Sequence, residues 1–317
     1  MNIVVVGTSE FTIQSARAVL DLGQKLSAVV SMPESCLPLN SANIKEFCLQ
    51  HKVPFYEFED LNDSAVLDIF RGLSPDFIFS SWPRLLCREF LQIPKNFVVG
   101  SHPTDLPYNR GRHPLHWIII LGMKRTTLTF FRMDEGVDSG AILLQLPLEG
   151  SAGDAISDLA VRVNGAAYEG VRILIDRFLG PGCPEVAQNQ GEANYWRKRT
   201  VHDVIIDLRM PAEYILRIVR SFSAPYPCAN LIFESFVIKI SRAVVLPGLF
   251  PQEHLSRLEP GKIVEVSESF IRVKCGDEIV ELGTKTSFPE AIKRAKYIHP
   301  PTKYFIDWST ELRALIS

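Results

Sequence analysis

The first roughly 180 residues alternate between two hydrophobic patterns, and that alternation narrows the possible folds more than any other feature. Short apolar runs fall at 3–7, 26–32, 54–58, 76–82, 96–102, 126–133 and 141–148. Their near-continuous apolar character predicts strands covered on both faces. Segments with three- and four-residue apolar spacing fill most gaps, at 12–22, 42–51, 63–73, 85–91 and 114–121, and predict helices. This alternation builds an α/β domain around a doubly wound, mostly parallel sheet. A long helix follows: Ile156, Leu159, Ala160, Val163, Ala167, Val171, Leu174 and Phe178 share one face, and Gly180-Pro181-Gly182 ends it.

The chain then changes character. Residues 183–199 are polar and poor in aliphatics, which reads as a linker. Beyond it, 211–222 predicts a short amphipathic helix with Pro211 in its first turn. Strand patterns at 229–234, 237–245, 262–266, 270–275 and 278–282 predict a small OB-like β-barrel. The expected layout is a catalytic domain over 1–180, a linker over 181–200 and a smaller barrel domain over 201–317. Tyr304, Phe305, Trp308 and Leu312 of the tail are expected to dock on the barrel.

With 317 residues, 46% hydrophobic and 22% charged, the composition is that of a folded protein long enough for two domains. A net charge of −2 provides no global basic field for nucleic acid. No apolar run reaches the roughly 18–20 residues of a membrane span. The N-terminus opens directly on a strand, so no leader and a cytoplasmic location are expected. The six cysteines, Cys36, Cys48, Cys87, Cys183, Cys228 and Cys275, are scattered and expected as reduced thiols. His113 and His116 lack a third ligand nearby, so they are expected on a loop or helix surface and no metal is expected.

Two segments look built for chemistry. His102 ends an apolar strand and precedes a loop punctuated by Pro103, Pro107 and Gly111. Asp138 lies 36 positions later, in a turn that crowds Asp134, Glu135 and Asp138 between Gly136 and Gly140. A carboxylate can orient a histidine and hold a proton, so the pair points to general acid/base work at the carboxyl edge of the sheet. Taken alone, the acidic segment is more simply a solvated turn, and it lacks the alternating oxygen ligands of a calcium loop. The turn at Gly7-Thr8-Ser9 has neither a dinucleotide fingerprint nor a Walker loop and reads as a plain strand-to-helix connection.

Three motifs occur in order: Gly7-Thr8-x-x-Phe11; His102-Pro103-x-x-Leu106-Pro107-x-x-Arg110-Gly111-x-x-Pro114-x-x-Trp117; and Thr127-x-Thr129-x-x-x-Met133-Asp134-Glu135-Gly136-x-Asp138-Ser139-Gly140. Their combination resembles the 10-formyltetrahydrofolate-dependent formyltransferases, which include methionyl-tRNA formyltransferase and the sugar N-formyltransferases. The resemblance extends over nearly the whole chain. Arg197–Arg199 with Asp203 and Asp207, Pro225-Tyr226-Pro227 and Gly261-Lys262-Ile263-Val264 are similar to the family's C-terminal domain. It implies that 10-formyltetrahydrofolate binds between Trp82, Arg84, Leu85 and Leu86 on one side and Asp134, Glu135, Gly136 and Val137 on the other. An acceptor amine attacks the formyl carbon, His102 meets the developing oxyanion, and Asp138 orients His102 and helps pass the amine proton. Thr8, Tyr108, Asn109 and Arg110 are the expected acceptor-side residues, and the cluster of Arg110 and Arg112 is expected to meet the phosphates of a nucleotide carrier.

One departure stands out. The family usually has an asparagine two residues before this histidine, and this chain has Gly100. Ser101 points to the opposite face, and Asn96 lies roughly 20 Å back along the strand. Asn109, Ser80, Ser81 or an ordered water are the remaining candidates for the missing donor. Loss of one such donor typically costs roughly a hundred- to a thousandfold in rate.

The acceptor is read from charge. In tRNA-directed relatives the loop after the second strand is long and basic; here residues 31–41 contain no Lys or Arg. Arg197-Lys198-Arg199 is a single cluster of the kind that is usually a solvated turn. A nucleotide-linked amino sugar is therefore the expected acceptor, with nucleic acid and membrane disfavoured as partners and a homodimer compatible. A methionyl-tRNA formyltransferase is the alternative. A formyltetrahydrofolate hydrolase and a catalytically impaired folate-binding protein follow.

Overall fold

The computed structural model describes residues 1–180 and 182–303, which lie in two compact units. The first comprises Met1–Pro114, Lys124–Ser151 and Leu159–Arg197; the second comprises Leu115–Met123, Ala152–Asp158 and the chain from Lys198 onward. The tail residues Tyr304, Phe305, Trp308 and Leu312 lie outside the described residues.

Up to His102 the chain alternates as expected: β1 (Asn2–Gly7), α1 (Glu10–Asp21), β2 (Lys25–Ser31), α2 (Ile44–His51), β3 (Phe55–Glu57), α3 (Ser64–Leu73), β4 (Phe77–Ser81), α4 (Arg88–Leu91) and β5 (Phe97–His102). After these come β6 (Arg110–Gly111), α5 (Pro114–Ile120), β7 (Arg125–Arg132), β8 (Ile142–Glu149), α6 (Ile156–Leu179) and β9 (Tyr195–Trp196). The main sheet has seven strands in the order β3-β2-β1-β4-β5-β7-β8. Pairings from β3 through β5 are parallel, and β5–β7 and β7–β8 are antiparallel. The order reverses between β1 and β4, whose carboxyl ends are Gly7 and Ser81, the point at which an open α/β sheet generally places its ligand site.

Both sheet faces are covered, which explains the near-continuous apolar strands. Val4, Val6, Ala28, Val30, Ile78 and Val98 pack with Leu67, Phe70 and Phe90. On the other face Phe178 of α6 stacks on Phe77 with ring centroids 4.2 Å apart, and Gly170 passes Phe130 too closely for a Cβ. Helix α4 is shorter than the 85–91 periodicity suggests. Asn62 captures this segment instead: its Nδ2 donates to Leu85 O at 3.0 Å and its Oδ1 accepts from Cys87 N at 2.8 Å.

The second unit holds α7 (Ala212–Ser221), β10 (Ala229–Phe233), β11 (Phe236–Ile240), β12 (Arg242–Val245), α8 (Gln252–Leu255), β13 (Ile263–Val266), β14 (Phe270–Lys274), β15 (Ile279–Gly283) and α9 (Glu290–Arg294). Its strands form an antiparallel β10–β11 ribbon and an antiparallel sheet ordered β12-β15-β14-β13. The single strand expected over 237–245 is broken at Ser241, whose N–H donates to Gly283 O at 2.9 Å. There the chain leaves β10 as partner and takes up β15. Pro211 sits one residue before α7 rather than inside its first turn. His116 is buried against Phe222 rather than on a helix surface, with ring centroids 4.8 Å apart. No helix of the described residues is long and apolar enough to cross a membrane.

At the amino end of the central strands, Asp76 ties three elements together. Its Oδ1 accepts from Lys95 Nζ at 2.8 Å and its Oδ2 from Asn2 N at 2.7 Å. The hydrogen bonds from Lys95 and then from Asn2 hold this carboxyl below the usual range. A depressed folded-state value contributes stability above the unfolded carboxylate range, and that stability disappears as pH falls through the folded value. Asp76→Asn should therefore lower the urea midpoint at pH 7, with the two proteins converging in acid; equal midpoints at pH 7 would contradict this.

Candidate active site

His102 is the last residue of β5, level with Thr129 on β7, and is only 4% exposed. Its Nε2 lies 2.9 Å from the backbone oxygen of Asn109. A carbonyl only accepts, so this nitrogen carries a proton and Nδ1 is the one turned to Asp138. Nδ1 is 3.5 Å from Asp138 Oδ2, an ion pair when the ring is protonated and longer than a good hydrogen bond.

Asp138 arrives by a less direct path than two neighbouring strand ends. β7 finishes at Arg132, level with Val99. That is about 10 Å behind His102 at roughly 3.3 Å per residue, so the 133–141 loop must turn back over the sheet. Asp134 shapes the turn, its Oδ1 accepting from Gly136 N at 3.0 Å and Ser139 Oγ at 2.7 Å. Gly140 closes the neck against Arg132 O, where no Cβ fits. Asp138 itself has φ +52°, a left-handed conformation that typically costs a non-glycine residue about 1–3 kcal/mol. Two hydrogen bonds hold it there. Gly111 N donates to Asp138 Oδ2 at 2.9 Å, and Gln188 Nε2 donates to Asp138 O at 2.9 Å.

The loop after His102 is braced as thoroughly. Thr104 Oγ1 donates to Tyr108 O at 2.9 Å. Asn109, at φ +62°, takes two hydrogen bonds from and to Asn194: its N–H donates to Asn194 Oδ1 at 2.8 Å, and Asn194 Nδ2 donates to its Oδ1 at 3.0 Å. Strand β6 pairs in parallel with β9, and Gly111, at φ +107°, lies against Trp196 O.

Arg110 sits between the two residues whose backbones touch the dyad. Its side chain is fully buried, at 0% exposure. Nε and Nη2 donate to Gln188 Oε1 at 3.1 and 2.6 Å, and Nη1 to Gln190 Oε1 at 2.8 Å and Tyr195 OH at 2.9 Å. Gln188 in turn donates to Gly140 O at 2.7 Å. Arg110 therefore braces the Asp138 loop, and a fully buried guanidinium has no face open to acceptor phosphates; of the two arginines expected to meet them, Arg112 is the exposed one. Gln188, Gln190, Asn194 and Tyr195 all come from the stretch read as linker. Polar residues without periodicity left no pattern to detect, and only Tyr195-Trp196 in a polar segment hinted at structure.

The Gly100 departure has a steric cause. A Cβ there would lie 2.7 Å from Met133 Cγ and 2.8 Å from Phe131 Cζ, so these two side chains occupy the space a larger residue would need. Among the candidate substitutes, Ser81 Oγ is engaged with Thr12 Oγ1 at 3.1 Å, and Asn96 Nδ2 donates to Asp76 O at 3.2 Å at the far end of the sheet. Ser80 lies in register beside Gly100 and receives a long 3.4 Å hydrogen bond from Trp82 N.

The remaining expected residues fall around this centre. Trp82 is half-buried, and its Nε1–H is buried without a hydrogen-bond partner among the described residues. Arg84 Nη1 donates to Glu59 O at 2.9 Å, Leu85 is 63% exposed and Leu86 is buried in the core. Arg88, at the start of α4 just beyond that segment, reaches Glu135 at 3.4 Å. Val137 is 37% exposed. Thr8 is buried, with its carbonyl accepting from Ala42 N at 2.9 Å. Tyr108 is exposed and donates to Glu192 Oε2 at 3.2 Å; that carboxylate raises the phenol above its ordinary value. Among the described residues no group of three or more His, Cys, Asp or Glu is placed to hold a metal ion.

A family model described as formyl transferase matches residues 1–174, and a model of the formyl transferase C-terminal domain matches residues 198–291. The methionyl-tRNA formyltransferase of Alkaliphilus oremlandii (strain OhILAs) is 28% identical over 287 residues, covering 89% of this chain and 90% of that protein. Among solved structures, an N-formyltransferase from Helicobacter canadensis, in complex with folinic acid and dTDP-3-aminofucose, superposes with a TM-score of 0.67 at 14% identity, covering 90% of this chain and 99% of that one. A sugar 3N-formyl transferase solved with dTDP and 5-N-formyl-THF gives a TM-score of 0.66 at 14% identity, covering 91% and 99%. At these identities the structures establish a shared fold.

Restoring the asparagine should be unfavourable. Gly100→Asn forces Phe131 or Met133 to move, and overpacking of this kind costs typically about 1–3 kcal/mol. A thermal melt at or above the wild-type midpoint would refute this account of the glycine.

Proposed function

We propose that this chain, which belongs to the formyl transferase family, transfers the formyl group of 10-formyltetrahydrofolate to a primary amine on a small acceptor, a nucleotide-linked amino sugar. The observation that carries the chemistry is the His102–Asp138 pair, a buried imidazole and a half-buried carboxylate 3.5 Å apart and braced from both loops. The donor's fit rests on Trp82, whose buried indole N–H lacks an acceptor among the described residues, and on the exposed apolar surface of Leu85 and Val137. Trp82, Leu85, Leu86 and the backbone of 134–137 would hold a pterin, with Arg84 and Glu135 at its rim. The bound donor supplies an electrophilic formyl carbon.

Asp138 is the proton acceptor for the attacking amine. Gly111 N keeps its Oδ2 in place. His102, whose Nε2–H is committed to Asn109 O, would take that proton at Nδ1, meet the developing negative charge as a ring cation, and return the proton to the folate nitrogen that leaves as its bond to the formyl carbon breaks. Tyr108 and Asn109 flank the acceptor, with Thr8 behind them. The closure of the second unit into an OB-like barrel, the layout of 1–180, 181–200 and 201–317, and a cytoplasmic location belong to the same reading.

The acceptor assignment rests on charge. Residues 31–41 carry no Lys or Arg, and Arg110 is withdrawn into the interior. The similarity to a curated methionyl-tRNA formyltransferase favours a second reading, with the initiator tRNA as acceptor. The filled space beside Gly100 favours a third, a folate-binding protein of reduced activity or a hydrolase.

A panel of nucleotide-linked 3- and 4-amino sugars should yield formylated product, while initiator tRNA should give neither product nor a gel shift at about 0.15 M salt. Formylated tRNA alone would transfer the assignment to the second reading; folate release without any amine would transfer it to a hydrolase. His102→Ala and Asp138→Asn should each lower kcat by roughly a hundred- to ten-thousandfold while circular dichroism stays unchanged. Near-normal turnover by either variant would rule out the dyad.

A further inference from the structure

The second unit contains a cleft of about 670 Å³, lined by residues from 227 to 289 and by none of the residues placed around His102. One wall is β11, which pairs with β10 on one side only among the described strands. The other is the bend after β15, where Thr284 Oγ1 and Thr286 Oγ1 lie 3.1 Å apart and Thr286 N donates to Thr284 Oγ1 at 3.2 Å.

The charges of this cleft are one-sided. Lys239 and Lys285 both line it, and no Asp or Glu does. Among the described residues neither lysine makes an ion pair. Burial pushes the Lys239 ammonium below its ordinary value, with Cys228 near enough to oppose that in part. A half-buried ammonium without an anion carries an uncompensated desolvation cost, which a bound anion would offset. Hydroxyls from Thr284, Thr286 and three serines add donors suited to phosphate oxygens.

The rest of the lining favours a larger ligand than a lone ion. Phe236 is 41% exposed and lies on the same cleft, together with further apolar side chains. Ligand clefts typically run to about 300–1,000 Å³, so this volume suits a phosphorylated molecule with a planar ring. We propose that this cleft is a binding site for a nucleoside diphosphate, with its phosphates at Lys239 and Lys285 on one face of β11 and its base across the edge of that strand left unpaired among the described residues, at Phe236.

Cys228 supplies a local reporter, since its partly exposed thiol lines the cleft. The full-length protein is treated with N-ethylmaleimide, and modification of the Cys228 peptide is followed by mass spectrometry. The probes are uridine diphosphate, inorganic pyrophosphate, uridine and a single-stranded RNA oligonucleotide. Uridine diphosphate should slow Cys228 modification most, pyrophosphate less and uridine least. Lys239→Gln/Lys285→Gln should weaken that protection by roughly tenfold or more, the loss of at least one charge-assisted contact. Because the signal comes from Cys228, nucleotide bound near His102 does not produce it, and a failed formyl-transfer assay leaves it unaffected. Protection that persists in the double variant, its absence at millimolar uridine diphosphate, or protection by RNA alone would each overturn the proposal.

Discussion

The hydrogen bond from Gly111 N to Asp138 Oδ2, at 2.9 Å, joins the two loops that the rest of the site depends on. Each loop leaves the sheet from a different strand, and each contains residues at positive φ, Asn109 and Gly111 in one and Asp138 in the other. Neither conformation would persist in an isolated segment, because left-handed backbone in a non-glycine residue is unfavourable. Arg110 makes the pairing rigid. Its buried guanidinium holds Gln188, and Gln188 holds the carbonyls of Asp138 and Gly140. A cation kept in the interior by neutral acceptors is costly. Its retention is intelligible here, since the fork of donors reaches three side chains from a stretch that would otherwise be unattached.

Gly100 shows how local packing can override a functional residue type. β5 runs antiparallel to β7, and Gly100 is level with Phe131. Phe131 and Met133 lean across this point, Met133 packing onto the core under the parallel strands. Only a residue without a Cβ fits beneath them. The site therefore has an apolar wall where a side-chain donor would stand, and its polar resources are concentrated in His102, Asp138 and the backbone of the two loops. Chemistry here depends more heavily on the placement of those two side chains than it would in a site with a third polar member.

Much of this was legible in the sequence. The strands of the main sheet and most helices of the first unit followed from period, because a parallel sheet covered on both faces leaves long apolar runs such as Ile3-Val4-Val5-Val6, whereas the two-residue strands β6 and β9 were too short to show one. The pairing of His102 with Asp138 was legible through motifs whose glycines and prolines fix loop paths. What could not be read was anything carried by long-range polar contacts. Gln188 and Asn194 sit in a polar stretch with no period, and their importance is visible only once Arg110 and Asn109 are beside them. The break at Ser241 was equally hidden, since a strand that changes partners keeps its alternation.

Arg110 also bears on what the acceptor must be. A guanidinium at a loop beside the reacting groups would ordinarily count toward a basic surface for phosphate. Buried, it contributes structure in place of surface charge, and the exposed residues of that loop include Tyr108, tied to the carboxylate of Glu192, and Arg112. A polyanion approaching this loop would meet the phenol of Tyr108 and the carboxylate of Glu192, with the exposed Arg112 as the loop's remaining cation. Nucleic-acid affinity scales with the number of phosphates neutralised, so each withdrawn cation weakens a tRNA acceptor more than a small one. The same bonds that set Asp138 against His102 thus withdraw Arg110 from the surface of the loop beside them, leaving Arg112 exposed there, so the bracing of the dyad and the loss of one surface cation have a single structural origin.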